Sequence, residues 1–162
     1  KVYFPRLIIP ISATFINLVD FAIGFLILIG MMVWYQVVPQ WTVLFLPLFV
    51  AVALLTALSV SLWLSALNVK YRDVASIVPL MTQLWMFASP VLYPASLVPE
   101  SVRWFYGLNP MAGVIEGFRW ALLSKAPPDW SMVSVSLGVV ASLLIGGVMF
   151  FRRVERTFAD VI

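Results

Sequence analysis

The chain has few of the side chains on which enzymes rely. Its 162 residues include no histidine and no cysteine, which removes the commonest general base, thiol nucleophiles and disulfides. The carboxylates available for glycoside chemistry, Glu100, Glu116 and Asp129, are scattered along the sequence. No lysine follows a glycine, so the G-x-x-x-x-G-K-[ST] phosphate loop is absent. We therefore predict no catalytic residue, no metal site and no ATP site built on that loop.

Asp20 is the exception within a long apolar run that extends over residues 11–35. A carboxylate at membrane depth is costly and is by default a functional candidate, so Asp20 is predicted to be an intramembrane charge. The alternative is that Asp20 lies near the interface or caps a neighbouring helix through Asn17 and Thr14. The sequence leaves both interpretations open.

The composition places the chain in a membrane. Hydrophobic residues make up 63% of it and charged residues 10%, whereas soluble domains average about 25% charged residues. Long apolar runs account for the excess, which indicates an integral membrane protein. The net charge of +3 is small, and no basic cluster with interleaved aromatics is present, so we expect no nucleic-acid partner.

Four apolar runs predict an all-α fold with four membrane-spanning helices. The runs cover residues 11–35, 41–67, 74–93 and 131–151. The third run is near the lower length limit, and the arginines from Arg152 onward are expected to stop the fourth. Small and hydroxylated residues in the second run favour close helix packing over a substrate path: Ala57, Ser59, Ser61, Ser65 and Ala66.

Residues 98–124 predict a re-entrant helical hairpin, too short to cross the bilayer, that lies in the interface or dips partway into the membrane. Asn109 and Pro110 suit the N-cap and the first position of its second helix. Glu116 and Arg119 stand three residues apart on that helix and can pair.

The distribution of lysine and arginine predicts the orientation. Four crossings place both ends of the chain and the loop at residues 68–73 on one side, with seven cations, against three cations on the other side. Because an excess of lysine and arginine marks the cytoplasmic side, both ends are predicted to be cytoplasmic and the hairpin external.

These features favour transport over catalysis. The sequence has no visible inverted repeat and no chain of intramembrane charges for ion coupling. An exporter energised by a separate ATPase needs docking surfaces and a membrane pathway, but no catalytic residues of its own. A membrane-embedded transferase acting on lipid-linked sugars is the alternative from another class, and the lack of histidine and cysteine weighs against it.

Several short motifs occur in a fixed order along the chain. They are KVYFPR at residues 1–6, YRD at 71–73, SPVLYP at 89–94, LNP at 108–110, an arginine at 119 and FAD at 158–160. In these motifs the chain resembles the ABC-type export permeases that move polysaccharides, such as exporters of O-antigen, capsule or teichoic acid. Over essentially its whole length it looks like the C-terminal four of the six helices usual in that family.

The resemblance implies one permease domain over residues 1–162, a fragment without the family's N-terminal amphipathic helix and first two spans. It also implies a homodimer of permeases on two nucleotide-binding ATPase subunits in the bacterial inner membrane. ATP and Mg would be held by those subunits, and this chain would bind no cofactor. The substrate would be a lipid-linked glycan. Permeases for drugs or small lipids share the scaffold and are the alternative.

The resemblance also assigns roles to residues. Contacts with the ATPase subunit are expected from Lys1, Tyr3, Phe4, Pro5, Arg6, Lys70, Arg72 and Asp73. The hairpin would be the external gate, its structure depending on Asn109, Pro110, Glu116 and Arg119. Because sugar rings stack on aromatic faces, the pathway and gate candidates are Trp85, Phe87, Tyr93, Trp104, Phe105 and Tyr106. Asp20 belongs to no motif of the family, and its role stays open.

Overall fold

A computed structural model describes residues 8–71, 73–91, 93, 97–123 and 127–159. Every regular element among these residues is helical, which confirms the all-α prediction. The α-helices are α1 (Ile8–Trp34), α2 (Leu46–Lys70), α3 (Val74–Ala88), α4 (Glu100–Tyr106), α5 (Pro110–Leu123) and α6 (Trp130–Ala159), and a 3₁₀ helix at Trp41–Phe45 leads into α2. The chain divides into two compact units, residues 1–38 and 39–162.

The first unit consists of α1 and the turn after it. Helix α1 begins at Ile8, so Pro10 lies in its first turn, where a missing N–H removes no helical hydrogen bond. Its residues Phe15–Trp34 form a helix long and apolar enough to cross a membrane. The helix ends in a tight turn in which Gln36 has a positive φ of 54°. This turn confirms the predicted break after the first span.

In the second unit, α2 and α6 run parallel. Near the start of α2, Phe49 lines a small cavity together with Val133 and Leu137 of α6. Further along, the Trp63 indole Nε1 donates to the Leu143 carbonyl at 2.9 Å, and its ring stacks on Phe150 at 5.0 Å. Both helices therefore advance in the same direction, and the chain has to return between them.

Small residues of α2 make this interface possible. Ser59 and Ala66 are buried, and a Cβ on Gly147 of α6 would lie 3.3 Å from the Ser59 carbonyl oxygen. The packing prediction is confirmed for these two residues. Ser61 and Ser65, by contrast, line an open groove between α2 and α3 with a volume of about 450 Å³.

Helix α3 makes the return and is shorter than the predicted span over residues 74–93. It has 15 residues, about 22 Å at 1.5 Å per residue, against a hydrocarbon core of about 30 Å. Helix α3 is thus an apolar helix below spanning length, while α1, the Trp41–Asn68 segment and Trp130–Val154 reach it. The prediction was too long at its C-terminal end because apolar composition continues past Ala88 and does not register the break at Ser89 and Pro90.

The α4–α5 hairpin fills the space beyond the end of α3. Its turn packs on the side of α6: a Cβ on Gly107 would lie 2.9 Å from the Met132 carbonyl oxygen and 3.0 Å from the Val135 Cβ. Its other end reaches the start of α2, where the Thr42 hydroxyl donates to the Ala121 carbonyl at 3.0 Å. The predicted helical hairpin is therefore present and is wedged between α2 and α6, while its depth in the membrane stays a prediction.

Helix α6 continues to Ala159, beyond the predicted stop at residue 151. The segment Trp130–Val154 is long and apolar enough to cross a membrane, and the arginines from Arg152 onward do not end the helix, because arginine has a high helix propensity. The prediction treated the end of the span and the end of the helix as one.

Candidate functional site

A groove with a volume of about 650 Å³ opens between α3 and the hairpin. This volume lies within the range of about 300 to 1,000 Å³ typical of ligand sites. The lining is mostly apolar and consists of Met81, Leu84, Trp85, Phe87, Ala88, Tyr93, Phe105, Tyr106, Leu108 and Asn109. Five of the six aromatic candidates from the sequence therefore meet in one place, although they come from three separate segments of the chain.

Asn109 is the polar centre of this groove. Its Oδ1 accepts from the Met111 backbone N–H at 3.0 Å and from the Trp85 indole Nε1 at 3.1 Å. Its Nδ2 donates to the Ser89 hydroxyl at 2.8 Å and to the Ala88 carbonyl at 3.3 Å. The first contact makes Asn109 the N-cap of α5, with Pro110 at the first helical position, as predicted. The other three join the hairpin to α3.

Two tyrosines form a second polar point in the groove. The Tyr93 hydroxyl donates to the Tyr106 hydroxyl at 3.4 Å, and the two rings meet edge to face at 6.4 Å. Trp104, the remaining aromatic candidate, does not line the groove. It is 55% exposed and contacts Phe105 edge to face at 5.8 Å, but it lies outside the groove that Phe105 and Tyr106 line.

The predicted pair of Glu116 and Arg119 forms and is half-buried. Arg119 also donates from Nη2 to the Pro90 carbonyl at 3.1 Å, just past the end of α3. The side chains of α5 thus satisfy carbonyl groups at the end of α3, which helix geometry leaves without partners. A guanidinium at this end is also favourable because the C-terminus of a helix carries partial negative charge.

Two serines at the hairpin were absent from the predicted site. Ser89 is buried, and its hydroxyl donates to the Trp85 carbonyl at 2.8 Å. The buried Ser136 of α6 donates to the Gly107 carbonyl at 3.1 Å and accepts from the Gly113 N–H at 3.1 Å. Ser89 belongs to the SPVLYP motif, so the sequence contained a signal that could have placed it in the site. Ser136 lies in a serine-containing apolar run with no distinguishing spacing.

Asp129 anchors the start of α6 near the hairpin. Hydrogen bonds from the Ser131 hydroxyl, and then from the N–H groups of Ser131 and Met132, hold the pKa of Asp129 below its ordinary value, with Arg103 acting in the same direction and partial burial opposing them. The Arg103 Nη1 lies 3.8 Å from the Asp129 Oδ2. The Asp129 carboxylate therefore caps the start of α6 and also forms an ion pair with Arg103 of α4.

Most of the residues predicted to contact an ATPase subunit lie outside the described part of the chain. These are the ones among the first six residues, and Arg72. The backbone of Lys70 ends α2. Asp73 occupies the N-cap position of α3 and is exposed, with no hydrogen bond from its side chain to that helix end. Their coupling role remains a prediction.

Asp20 lies in the interior of α1, and its side chain is exposed within the single chain. Because α1 is continuous through it, Asp20 does not stand at a helix end. The Thr14 side chain, named with Asn17 as a capping partner, lies outside the described part of the chain. The structure thus places it at mid-helix within the span Phe15–Trp34.

Comparison with known proteins adds an independent line of evidence. Residues 3–123 match the model of a family described as the ABC-2 type transporter. The O-antigen export system permease protein RfbA of Myxococcus xanthus is 31% identical over all of this chain and 63% of its own length. Two proteins of the same name from Klebsiella pneumoniae are 24% and 25% identical over all of this chain and 62% of their lengths. The chain therefore spans just under two thirds of the length of these relatives.

Proposed function

The chain belongs to the ABC-2 type transporter family, and we propose that it is a membrane-spanning part of an exporter that moves a lipid-linked polysaccharide. Its relatives are named as O-antigen export permeases, which supports a polysaccharide as the substrate class. In this proposal the chain is a transport subunit and not an enzyme. It lies in the bacterial cytoplasmic membrane.

The aromatic groove is the observation that carries this proposal. A sugar ring has apolar faces that stack on aromatic rings and hydroxyl groups that need hydrogen-bond partners. The groove offers both, because Trp85, Phe87 and Phe105 line it beside the Tyr93 hydroxyl, whose oxygen can accept a further hydrogen bond. Tyr106 completes the lining. We propose these aromatic residues as the glycan pathway, with the hairpin as part of the gate.

The energy for transport would come from a separate nucleotide-binding subunit that holds ATP and Mg. Two copies of the permease would share two such subunits. We propose that residues 1–6 and the loop at 70–73 contact them on the cytoplasmic side. The parallel course of α2 and α6 supports this orientation, because it places the start of both helices, and with them the hairpin, at the end opposite that loop.

Purification of the tagged full-length protein from membranes tests the transporter class. We expect a stoichiometric partner that carries a phosphate loop and whose ATPase activity depends on the permease. Deletion of the gene should then leave lipid-linked glycan on the cytoplasmic side of the membrane. Unchanged glycan export after deletion would instead favour a permease for drugs or small lipids, and turnover of lipid-linked sugar without an ATPase would favour a transferase.

Two tryptophans of the same region give a matched test of the pathway. Trp85 lines the groove, whereas Trp104 does not and is more exposed. We expect Trp85→Ala to lower glycan export and Trp104→Ala to leave it near the wild-type rate, with both variants still bound to the ATPase. Equal export in the two variants would contradict the assignment of the groove as the pathway.

A further inference from the structure

The two walls of the groove are held to the rest of the second unit in different ways. None of the described residues of α3 is buried, whereas seven residues of α5 are. The groove therefore has a wall of low packing, α3. The opposite wall is formed by the hairpin residues 105–109, which α5 joins to the core. Elements with few buried contacts open at the lowest free-energy cost.

The hairpin is fixed to α6 and α2 by buried contacts. The Ser136 hydroxyl binds both sides of the hairpin turn, through the Gly107 carbonyl and the Gly113 N–H. On the α2 side, Gly117 lies so close to the Phe49 ring that a Cβ at this position would overlap it. Such close contacts make this wall the stationary one.

Helix α3 is fastened to the hairpin mainly at its C-terminal end. The last carbonyls of a helix have no partners within it, and an apolar environment offers no water to replace them. Asn109 Nδ2 supplies a donor to the Ala88 carbonyl at 3.3 Å and to the Ser89 hydroxyl at 2.8 Å. Arg119 Nη2 supplies one to the Pro90 carbonyl at 3.1 Å. One donor is the N-cap residue of α5, and the other lies in α5 itself.

We infer that Asn109 is a positioning residue whose amide nitrogen fastens the end of α3 to the hairpin and so holds the Trp85 wall of the groove. Arg119 is the second fastening. When these bonds break, the groove opens on its α3 side while the hairpin stays on α6. The fastening is a property of the chain and does not depend on the proposed function. The inference rests on that function only where it says that the opening of the groove serves transport.

One substitution separates the role of the Asn109 amide oxygen from that of its amide nitrogen. Asn109→Asp keeps an oxygen for the Met111 N–H and for the Trp85 indole, and aspartate is as good an N-cap as asparagine. It removes the nitrogen that donates to Ala88 and Ser89. A residue that acts only as an N-cap should therefore tolerate this change, whereas a fastening residue should not.

Two buried serines provide the matched probes. The chain has no cysteine, so Ser89→Cys on the α3 side and Ser136→Cys on the α6 side each introduce a single thiol at a position no more than 3% exposed. A thiol is a weak hydrogen-bond donor and a weak acceptor, so it will not replace the missing amide. At position 89 it also weakens the bond that the serine hydroxyl accepts from Asn109, and the comparison there therefore reports the bond from Asn109 to the Ala88 carbonyl. Each probe is combined with either Asn109 or the aspartate variant in a protein whose only cysteine is the probe, in lipid, and its rate of reaction with N-ethylmaleimide is measured.

We expect Asn109→Asp to speed the labelling at position 89 about tenfold, the population change that follows from the loss of one or two hydrogen bonds. Labelling at position 136 should stay at the rate found with Asn109. No change at either position would mean that Asn109 is only a cap and would overturn the inference. Faster labelling at both positions, or at 136 alone, would overturn it too, because the hairpin would then have left α6.

This measurement needs neither a substrate nor a partner subunit. Failure of the labelling pattern would therefore refute the role of Asn109 and leave the export proposal standing. Loss of the export proposal, through unchanged glycan export on deletion, would leave the labelling pattern as evidence for the same fastening in another transporter of the family.

Discussion

Helices α1 and α2 both contain spans long and apolar enough to cross a membrane, yet they relate to their surroundings differently. In α1, a Cβ on Gly24 or Gly30 would meet nothing within 4 Å. Helix α2 contacts α5 and α6 closely, and it buries Thr56, Ser59 and Leu62. Apolar composition alone thus does not distinguish a helix with an open surface from one in the core of the unit.

The difference shows which residues drive packing in a membrane protein. Lipid tails are as apolar as leucine, so helices associate through small residues, close backbone approach and hydrogen bonds. The second unit has all three, as the contacts of Gly113 with Ser136 and of Trp63 with the Leu143 carbonyl show. The four predictions below test this contrast, in order of decreasing effect.

Two methionines give the largest expected difference. Met132 is fully buried where α6 meets the hairpin, whereas Met31 of α1 is 52% exposed. Met132→Ala should lower the free energy of unfolding by about 2 to 5 kcal/mol, because it leaves a cavity. Met31→Ala should change it by less than about 0.5 kcal/mol. Denaturant titration of both variants in the same micelles provides the comparison, and equal losses would show that α1 is packed as tightly as α6.

Two glycines test the role of close approach. Gly117 faces the Phe49 ring, and a methyl group there requires the ring to move, whereas Gly24 is in open space. We expect Gly117→Ala to cost about 1 to 3 kcal/mol through overpacking. Gly24→Ala should stabilise α1 by up to about 1 kcal/mol, because alanine has the higher helix propensity. Thermal unfolding in detergent would show opposite shifts. Shifts of the same sign would refute the contrast.

Asp129 tests the polar attachment of α6. Asp129→Ala should cost about 1 kcal/mol through loss of the N-cap, while Asp129→Asn keeps a capping oxygen and should cost less. The lowered pKa of Asp129 means that its carboxylate stabilises the fold. This contribution is complete above the ordinary value of 3.8 and is lost as the pH falls through the lower pKa of the folded state. Unfolding curves between neutral and acid pH should show this acid-side loss in the wild type and less of it in Asp129→Asn.

The smallest effect is expected at Asp20. Its side chain is exposed in the interior of α1, so Asp20→Asn should change the free energy of unfolding of the isolated chain by less than about 0.5 kcal/mol. Export by the assembled transporter is measured alongside. A loss of export at unchanged stability would give Asp20 a functional role, whereas a large loss of stability would show that it contacts another part of the chain.

Much of the fold was predictable because membrane insertion depends on local composition. Three long helices, the hairpin, the Asn109 cap and the pairing of Glu116 with Arg119 all follow from properties within a few residues of sequence. The length of α3 did not, because apolar residues continue past Ala88. The end of α6 was missed because charge ends a membrane span without ending a helix.

The sequence by itself determined that the chain is an all-helical membrane protein, because apolar composition and run length decide this, and the family resemblance gave six aromatic candidates for a pathway. Only the tertiary structure decided that Trp85, Phe87, Tyr93, Phe105 and Tyr106 share one groove and that Trp104 is excluded from it. It also decided that Asn109 and Ser136 hold the hairpin from opposite sides. Such contacts join residues from 13 to 29 positions apart, and no local pattern in the chain records which of them will meet.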